Sequence, residues 1–539
     1  MAFVENNSNQ LTFDDSFLGL TEREQKFLLK SWAKPFADII FPAIDEKPFA
    51  VLYCDNSASR PNTPVNVIIG LLILKEYLGL TDDEVLESLL FDVRFQYALH
   101  TTSYQEQPIS DRTLSRFRAR CLAYENETGQ DLIKDCITSL SADISAVMGI
   151  NGNIKRMDSL MVASNIKKLS RLELLYVCVA NAVKLLDKKK EVLPESMKHY
   201  IEPNDQNKVI YHARSTDVNE RIRTVLDDAS FLIHKYSDKY KESSEYQLLI
   251  RAIGEQTAED EKGVLHLKEA NDKSMNSEML QNPADPDATF RFKSGKQYRG
   301  YVANVVEDVS ENGSVITEYD YQANIYSDSK FFKDVIKKID TQDTPVTLLA
   351  DGAYGSEENE ALASDKNVNL INTNFTGIKP DDFYAEFEFS EDGKKVLKCA
   401  GGQTPITCTY YAYLDNCRIT LDRDICDKCP YKEQCKPKIY KKKASKTISR
   451  KTTERAKKLR YMKKSEFKEF AKIRNGVESI PSTLRRKYQV DKMPVRGKLR
   501  TKLFFGFKIA AMNFNKLRDY LKLGDNYTQN NKLCTGWAQ

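Results

Sequence analysis

A chain of 539 residues, 41% hydrophobic and 29% charged, is long enough for several domains and has an ordinary globular composition. Its longest apolar run, residues 67–74, contains Gly70 and is far shorter than a membrane span, and the opening MAFVENNSNQ lacks the basic-then-apolar pattern of a secretory signal; the expectation is a cytoplasmic protein with no membrane partner. Net charge is only +4, yet residues 436–468 carry 15 Lys and Arg against Glu454 and Glu466, a local excess of the kind that attracts a polyanion through counterion release.

In chain order, residues 1–145 read as an all-helical domain. Pro61 and Pro64 punctuate the start of one helix, and Thr81 with Glu84 forms a capping box ahead of Val85, Leu86, Leu89 and Leu90. In PISDRTLSRFRARCL, Ser110 or Asp111 is the expected N-cap. Arg112, Arg116 and Arg120 then recur every four residues, which puts three guanidinium groups on one helical face. A solvated face accounts for that spacing as well as a DNA-reading helix does, and the short helices before it favour a helix-turn-helix-like module.

The pattern changes from Asn151. NGNIKRMDSLM reads as a strand ending near Asp158, followed by helical periodicity from about 165 to 285. RGYVANVVEDV and SVITEYDYQANIYS, separated by SENG, read as a hairpin. FFKDVIKKI is an amphipathic helix; VTLLAD and VNLINTN are short strands on either side of the helical SEENEALASD. With the helical block set aside, the order is three strands, helix, strand, helix, strand. That is a ribonuclease H-like order in an α+β or α/β multidomain chain, with the core's first part at 146–378 and a helical insert at about 165–285. Residues 379–440 form a second insert rich in cysteine, and 441–539 return to long helices.

In this order the strands ending at Asp158 and Asp351 are neighbours. Two carboxylates at one sheet edge suit Mg²⁺ or Mn²⁺, which takes its other ligands from water and phosphate. Glu478 is the candidate third acid; Arg474 stands four residues before it and Arg485 seven after, so one continuous helix would flank a metal ligand with two phosphate binders. Six of eleven cysteines lie between residues 399 and 435, while all five histidines precede them. In a reducing compartment, Cys426-x₂-Cys429 with two further thiols predicts a structural Zn²⁺ knuckle held by sulfur alone.

Together these pieces resemble the DDE-type transposases of bacterial insertion sequences, in the branch whose third acid sits in a Tyr-Arg-Glu-Lys signature. The resemblance rests on RMDSLMVASN, on ADGAYGSEEN with NTNFTG, and on R-x₃-E-x₆-R. The region from RPNTPVNVIIG to PISDRTLSRFRARC is similar to the InsH-like helical domain that precedes such cores. Two positions depart: the signature's Tyr falls on Ala471 and its Lys on Arg485.

The resemblance implies cleavage at the ends of an insertion sequence and transfer of the freed 3′-hydroxyl into target DNA by two-metal-ion phosphoryl transfer. Asp158, Asp351 and Glu478 would hold Mg²⁺ or Mn²⁺, Arg474 and Arg485 would grip phosphate, and Tyr354 would pack against the DNA strand. It also favours Cys399, Cys426, Cys429 and Cys435 as the zinc set over sets using Cys408 or Cys417. The cationic segment beyond the knuckle, including Lys441, Lys442 and Lys443, would then follow double-stranded DNA. A nucleoid-associated homodimer is expected. The rival readings are a nuclease of the same fold without strand transfer and an inert domesticated DNA-binding protein.

Overall fold

The structure is a computed structural model that describes residues 1–522 apart from 7–14, 55, 57, 211–216, 262, 270, 294, 340, 342, 343 and 376; His212 and Cys534 lie outside the described residues. The chain divides into two compact units. One comprises Met1–Asn153, Asp158–Phe331 and Ser479–Gln539, the other Ile154–Met157 and Phe332–Glu478. The dividing point falls inside strand β1, Ile154–Ala163.

In the first unit the helix Val65–Leu78 is apolar on nearly every side and buried throughout most of its length, as expected of a central helix. The Thr81 capping box forms: the Thr81 hydroxyl accepts from Glu84 N at 3.2 Å, and the Glu84 carboxylate accepts from Thr81 N at 2.7 Å. The helix Lys498–Lys522 packs on Val65–Leu78 and on Leu132–Val147. Two of its cations are paired with acids, Lys508 with Glu76 and Lys502 with both Glu125 and Asp131 at 2.7 Å. A buried charge without such a partner would be strongly destabilising.

The middle of the sequence builds its own helical core. Arg171–Lys188, Val218–Tyr240 and Ser244–Gln256 close around Leu175, Val179, Leu232 and Leu249, beside a small antiparallel pair, β2 (Thr257–Glu259) and β3 (Leu265–Leu267). Next come β4 (Thr289–Lys293), β5 (Lys296–Ser310) and β6 (Gly313–Ala323), joined antiparallel with β5 in the middle. The β5–β6 turn needs only residues 311 and 312, within the expected SENG. Near Glu307 the β5–β6 register shifts, and Asn513 serves the partner strand there. Its Nδ2 donates to Ile316 O at 2.8 Å and Ser141 Oγ at 3.0 Å, and its Oδ1 accepts from Ile316 N at 3.0 Å.

In the second unit, the first residues of β1 pair in parallel with β7 (Val346–Ala350), and β7 pairs in parallel with β8 (Val368–Asn372). The helix Glu357–Asp365 connects β7 to β8 and starts at a Ser356 cap. Phe467, on the helix Ser465–Asn475, buries itself against Leu349 and Ile371. The cysteine-rich segment contains a short pair, β9 (Glu388–Phe389) and β10 (Val396–Lys398), and a four-stranded sheet. That sheet is built from β11 (Thr407–Tyr411), β12 (Asn416–Asp422), β13 (Lys438–Ile439) and β14 (Lys443–Ile448), in the order β11-β12-β14-β13.

The expected alternation of strands and helices is therefore present, with three differences. β4 is an extra edge strand. β1 continues five residues past Asp158, because the alternating Leu160 and Val162 bury one side of it. The helix at Thr113 begins from Arg112 rather than from Ser110 or Asp111, and no side chain caps it; Ser110 bonds the Thr113 hydroxyl instead.

Asn513 satisfies both backbone groups of one residue inside the core. Asn513→Ala should therefore strand Ile316 N–H and C=O and cost about 2–3 kcal/mol. The expected result in differential scanning calorimetry is a lower melting temperature for the transition that contains the Lys498–Lys522 helix.

Candidate active site and thiol cluster

In the second unit, β1 and β7 are aligned Ile154↔Thr347, Lys155↔Leu348 and Arg156↔Leu349. Each strand carries its acid two residues beyond that last pair. Asp351 succeeds β7 directly and caps a single turn, Gly352–Tyr354. Its Oδ1 accepts from Gly352 N at 2.6 Å and from Asn374 Nδ2 at 2.9 Å. Both bonds fall on the same oxygen, so Oδ2 keeps its lone pairs among the described residues.

Glu478 ends a short turn, Gly476–Glu478, that interrupts the expected continuous helix between Ser465–Asn475 and Ser479–Arg486. Arg474 is nearly buried and donates through Nη1 to Glu478 Oε1 at 2.6 Å, while the Glu478 side chain is 61% exposed. The turn is fastened to β1 by Arg156, whose Nη1 donates to Ile473 O at 2.6 Å. Gly476 lies directly against that guanidinium, and a Cβ there would overlap Arg156 Nη1. Its φ of −59° suits any residue, so glycine is needed for space alone.

In the first unit, Asp158 is the next residue of β1 after Met157. Its Oδ1 accepts from Ser159 N at 2.8 Å and its carbonyl from Asn304 Nδ2 at 3.2 Å. Ser159 in turn donates to Asp328 at 2.7 Å. Arg485 is engaged within the protein. It bonds Asp491 at 3.1 Å and the Met161 carbonyl at 2.8 Å, while Asp491 accepts from Ala163 N at 2.9 Å. On the helix Thr113–Thr128, Arg112 and Arg116 are exposed, whereas Arg120 is partly withdrawn over the Tyr53 ring at 5.1 Å.

Tyr354 corrects the expectation of a DNA-facing ring. It is 1% exposed, and its carbonyl accepts from the buried Asn359 at 2.7 Å, so the aromatic anchors the loop after Asp351. Lys441, Lys442 and Lys443 are exposed around the β13–β14 turn. Three contributors were not singled out from the sequence: Arg156, Asn374 and Asn304. Arg156 stands two positions before Asp158 on the same strand, and Asn374 lies in the quoted NTNFTG. Those placements were the available signals.

The four expected zinc ligands line one pocket. Cys426 and Cys429 flank the end of the short helix Arg423–Asp427, Cys435 ends Lys432–Cys435, and Cys399 lies in the loop after β10. Burial pushes the Cys426 thiol up to about 11, helped by the neighbouring Cys399, Cys429 and Cys435. Burial also raises Cys435, against the pull of Lys446. A Cβ on Gly401 would approach Cys429 Sγ to 2.8 Å, so a small residue is required beside the sulfurs. Cys408 and Cys417 pair with each other instead: burial, then Cys408, lifts Cys417 to about 12. The donor chemistry, four soft thiols at one place, suits Zn²⁺. Among the described residues, no three His, Cys, Asp or Glu side chains stand at metal-ligand spacing.

The Gly476–Arg156 contact has a measurable consequence. Gly476→Ala is expected to destabilise the second unit by about 1–3 kcal/mol through overpacking. Adding Arg156→Ala removes the obstructing guanidinium. The two changes should therefore be non-additive in a double-mutant cycle monitored by thermal melting.

Comparison with known proteins bears on these sites. Residues 26–120 match the family model described as Transposase domain (DUF772), and residues 399–518 match that described as Transposase DDE domain. The first match covers the helices Val65–Leu78 and Asp82–Phe91. The second takes in the thiol pocket and the Glu478 turn, whereas Asp158 and Asp351 precede it. No curated protein and no solved structure matches the chain. Transposase models are thus matched in two separate segments of the chain, which supports a DDE-type transposase of insertion sequences.

Proposed function

We propose that the chain cleaves DNA at the ends of its insertion sequence and joins the freed 3′-hydroxyl to target DNA, with Asp158, Asp351 and Glu478 as the acidic set. The observation that carries this is the parallel register of β1 and β7, in which two acids come after the same aligned pair, Arg156 and Leu349, by equal steps. The DDE match around Glu478 supports the third. A ribonuclease H-like arrangement agrees with parallel β1, β7 and β8 in one unit and the antiparallel β4–β6 group in the other.

Carboxylates are hard ligands, and the unengaged Oδ2 of Asp351 and exposed head of Glu478 suit Mg²⁺ or Mn²⁺. Such ions, when bound, polarise the scissile phosphate and stabilise the charge that develops on the leaving oxygen. The chain's own residues then do the positioning. Asn374 and Gly352 N–H fix the Asp351 carboxylate, Arg156 fixes the Glu478 turn, and Arg474 orients Glu478 while adding positive charge for a phosphate oxygen. Arg485 braces β1 against the segment at Asp491, and its partly exposed guanidinium is also placed to grip phosphate. Arg112 and Arg116 contact DNA from the amino-terminal helices. The active species is a homodimer in the cytoplasm, associated with the nucleoid. Among the described residues no helix is long and apolar enough to cross a membrane.

Asp158→Asn, Asp351→Asn and Glu478→Gln should each lower Mg²⁺-dependent cleavage of an end-bearing duplex by about three orders of magnitude, the scale of several kcal/mol of lost charge stabilisation. Duplex binding should persist. Normal cleavage by all three variants would refute the assignment. A precut end that is never joined to target would leave a nuclease, and a wild-type chain that neither cuts nor joins would leave a DNA-binding protein.

The four thiols Cys399, Cys426, Cys429 and Cys435 hold a structural zinc that folds the cysteine-rich segment. Purified protein should contain on the order of one zinc per chain, measured by mass spectrometry of the metal. Cys426→Ser should remove it, and Cys408→Ser should leave it in place.

A further inference from the structure

The four-stranded sheet of the cysteine-rich segment has two faces of different character. Cys417, Ile419 and Leu421 on β12, with Ala444 and Ile448 on β14, point inward and join Phe383, Phe387 and Val396 in a small core. Lys446 also turns inward, to Tyr384 and the Cys435 carbonyl. The alternate positions form the outer face, since successive strand residues point to opposite sides. Cross-strand register places Arg418 beside Thr447, Thr420 beside Ser445, and Ser445 beside Lys438.

This outer face consists of cations and hydroxyls. Lys436, Lys438 and Lys443 line a groove with Arg418, and none of these three lysines has an acidic partner among the described residues. Arg418 lies over the Tyr411 ring at 5.8 Å. The acid on the face is Asp422, opposite Lys443, and its carboxylate caps the helix Arg423–Asp427 through Asp424 N at 2.8 Å and Ile425 N at 3.3 Å. An ordinary solvated sheet face mixes both signs; here one sign dominates and the hydroxyls stand between the cations.

Such a surface matches a phosphate backbone. Size decides the manner of contact. Four strands spaced ~4.8 Å apart span about 14 Å before side chains are added, wider than the ~12 Å major groove, which admits a helix or a two-stranded ribbon. The sheet therefore lies across the backbone instead of entering a groove, and contacts of that kind position DNA without reading bases.

We propose that the outer face of β12, β14 and β13 is a sequence-independent duplex-DNA surface that holds target or flanking DNA, with Arg418, Lys438 and Lys443 contacting phosphates. This rests on the proposed action on DNA and adds to it a surface separate from the acidic residues. The test uses the full-length chain and two duplexes of equal length and unrelated sequence, with binding read by fluorescence anisotropy between about 50 and 200 mM salt. The combined variant Arg418→Gln, Lys438→Gln, Lys443→Gln should make the slope of log affinity against log salt shallower by about 2–3, near 0.9 for each lost phosphate contact. The loss should be equal on both duplexes. The charge-preserving set Arg418→Lys, Lys438→Arg, Lys443→Arg should retain the wild-type slope, which separates lost charge from misfolding.

An unchanged slope in the Gln variant would overturn the proposal, as would loss on one duplex alone, which would mean base readout. A fall in the charge-preserving set as large as in the Gln set would also overturn it. If the wild-type chain binds neither duplex, the proposed action on DNA falls as well, an outcome distinct from wild-type binding that the variants leave unaltered.

Discussion

One guanidinium constrains the arrangement around Glu478, the proposed third acid. Arg156 leaves β1, reaches the carbonyl of Ile473 and occupies the space that a side chain at residue 476 would take. Helix, turn and strand are thereby fixed to one another at the place where Glu478 is presented. Without that contact the turn would hang from the end of Ser465–Asn475 with Arg474 as the side-chain partner of Glu478 in that turn. A charge-assisted bond to a carbonyl is worth roughly 1.5–3 kcal/mol. That is enough to hold one loop geometry over its alternatives, since about 1.4 kcal/mol is already a tenfold preference.

Much of this was readable from residue order. The Thr81 capping box, the SENG turn, the strand at VTLLA and the helix at EENEALASD each pair local propensity with a strong boundary residue, and each appears where expected. Misreadings arose where tertiary packing overrode local signals. β1 does not stop at Asp158, because burial of Leu160 and Val162 outweighs the poor strand propensity of one acid. The Arg-x₃-Glu-x₆-Arg spacing implied one continuous helix, but a short 3-10 turn, Gly476–Glu478, interrupts it. A glycine chosen for close approach looks the same in sequence as one chosen for a turn. The resemblance implied a DNA contact for Tyr354, and its burial shows an anchoring part instead.

Cysteine spacing was informative in a different way. The CxxC fixes only two thiols, and the remaining four candidates could not be ranked from spacing. In the structure Cys408 neighbours Cys417 and helps to raise it, while Cys399, Cys426, Cys429 and Cys435 line one pocket. The cationic sheet face was only partly legible, since the dense lysines of residues 436–468 were visible but their division between the two sides of β14 depends on which strand lies beside which. Lys443 and Lys446 are three residues apart and point to opposite sides.

The Lys498–Lys522 helix comes late in the chain, yet it covers Val65–Leu78, one of the early helices. During synthesis at about 5–20 residues per second, the apolar surface of that early helix emerges tens of seconds before its cover does. Nascent protein must keep that surface from associating with other chains in the interval, and a product shortened before residue 498 would expose it permanently. For this chain, residues 498–522 close a core that residues 65–78 begin.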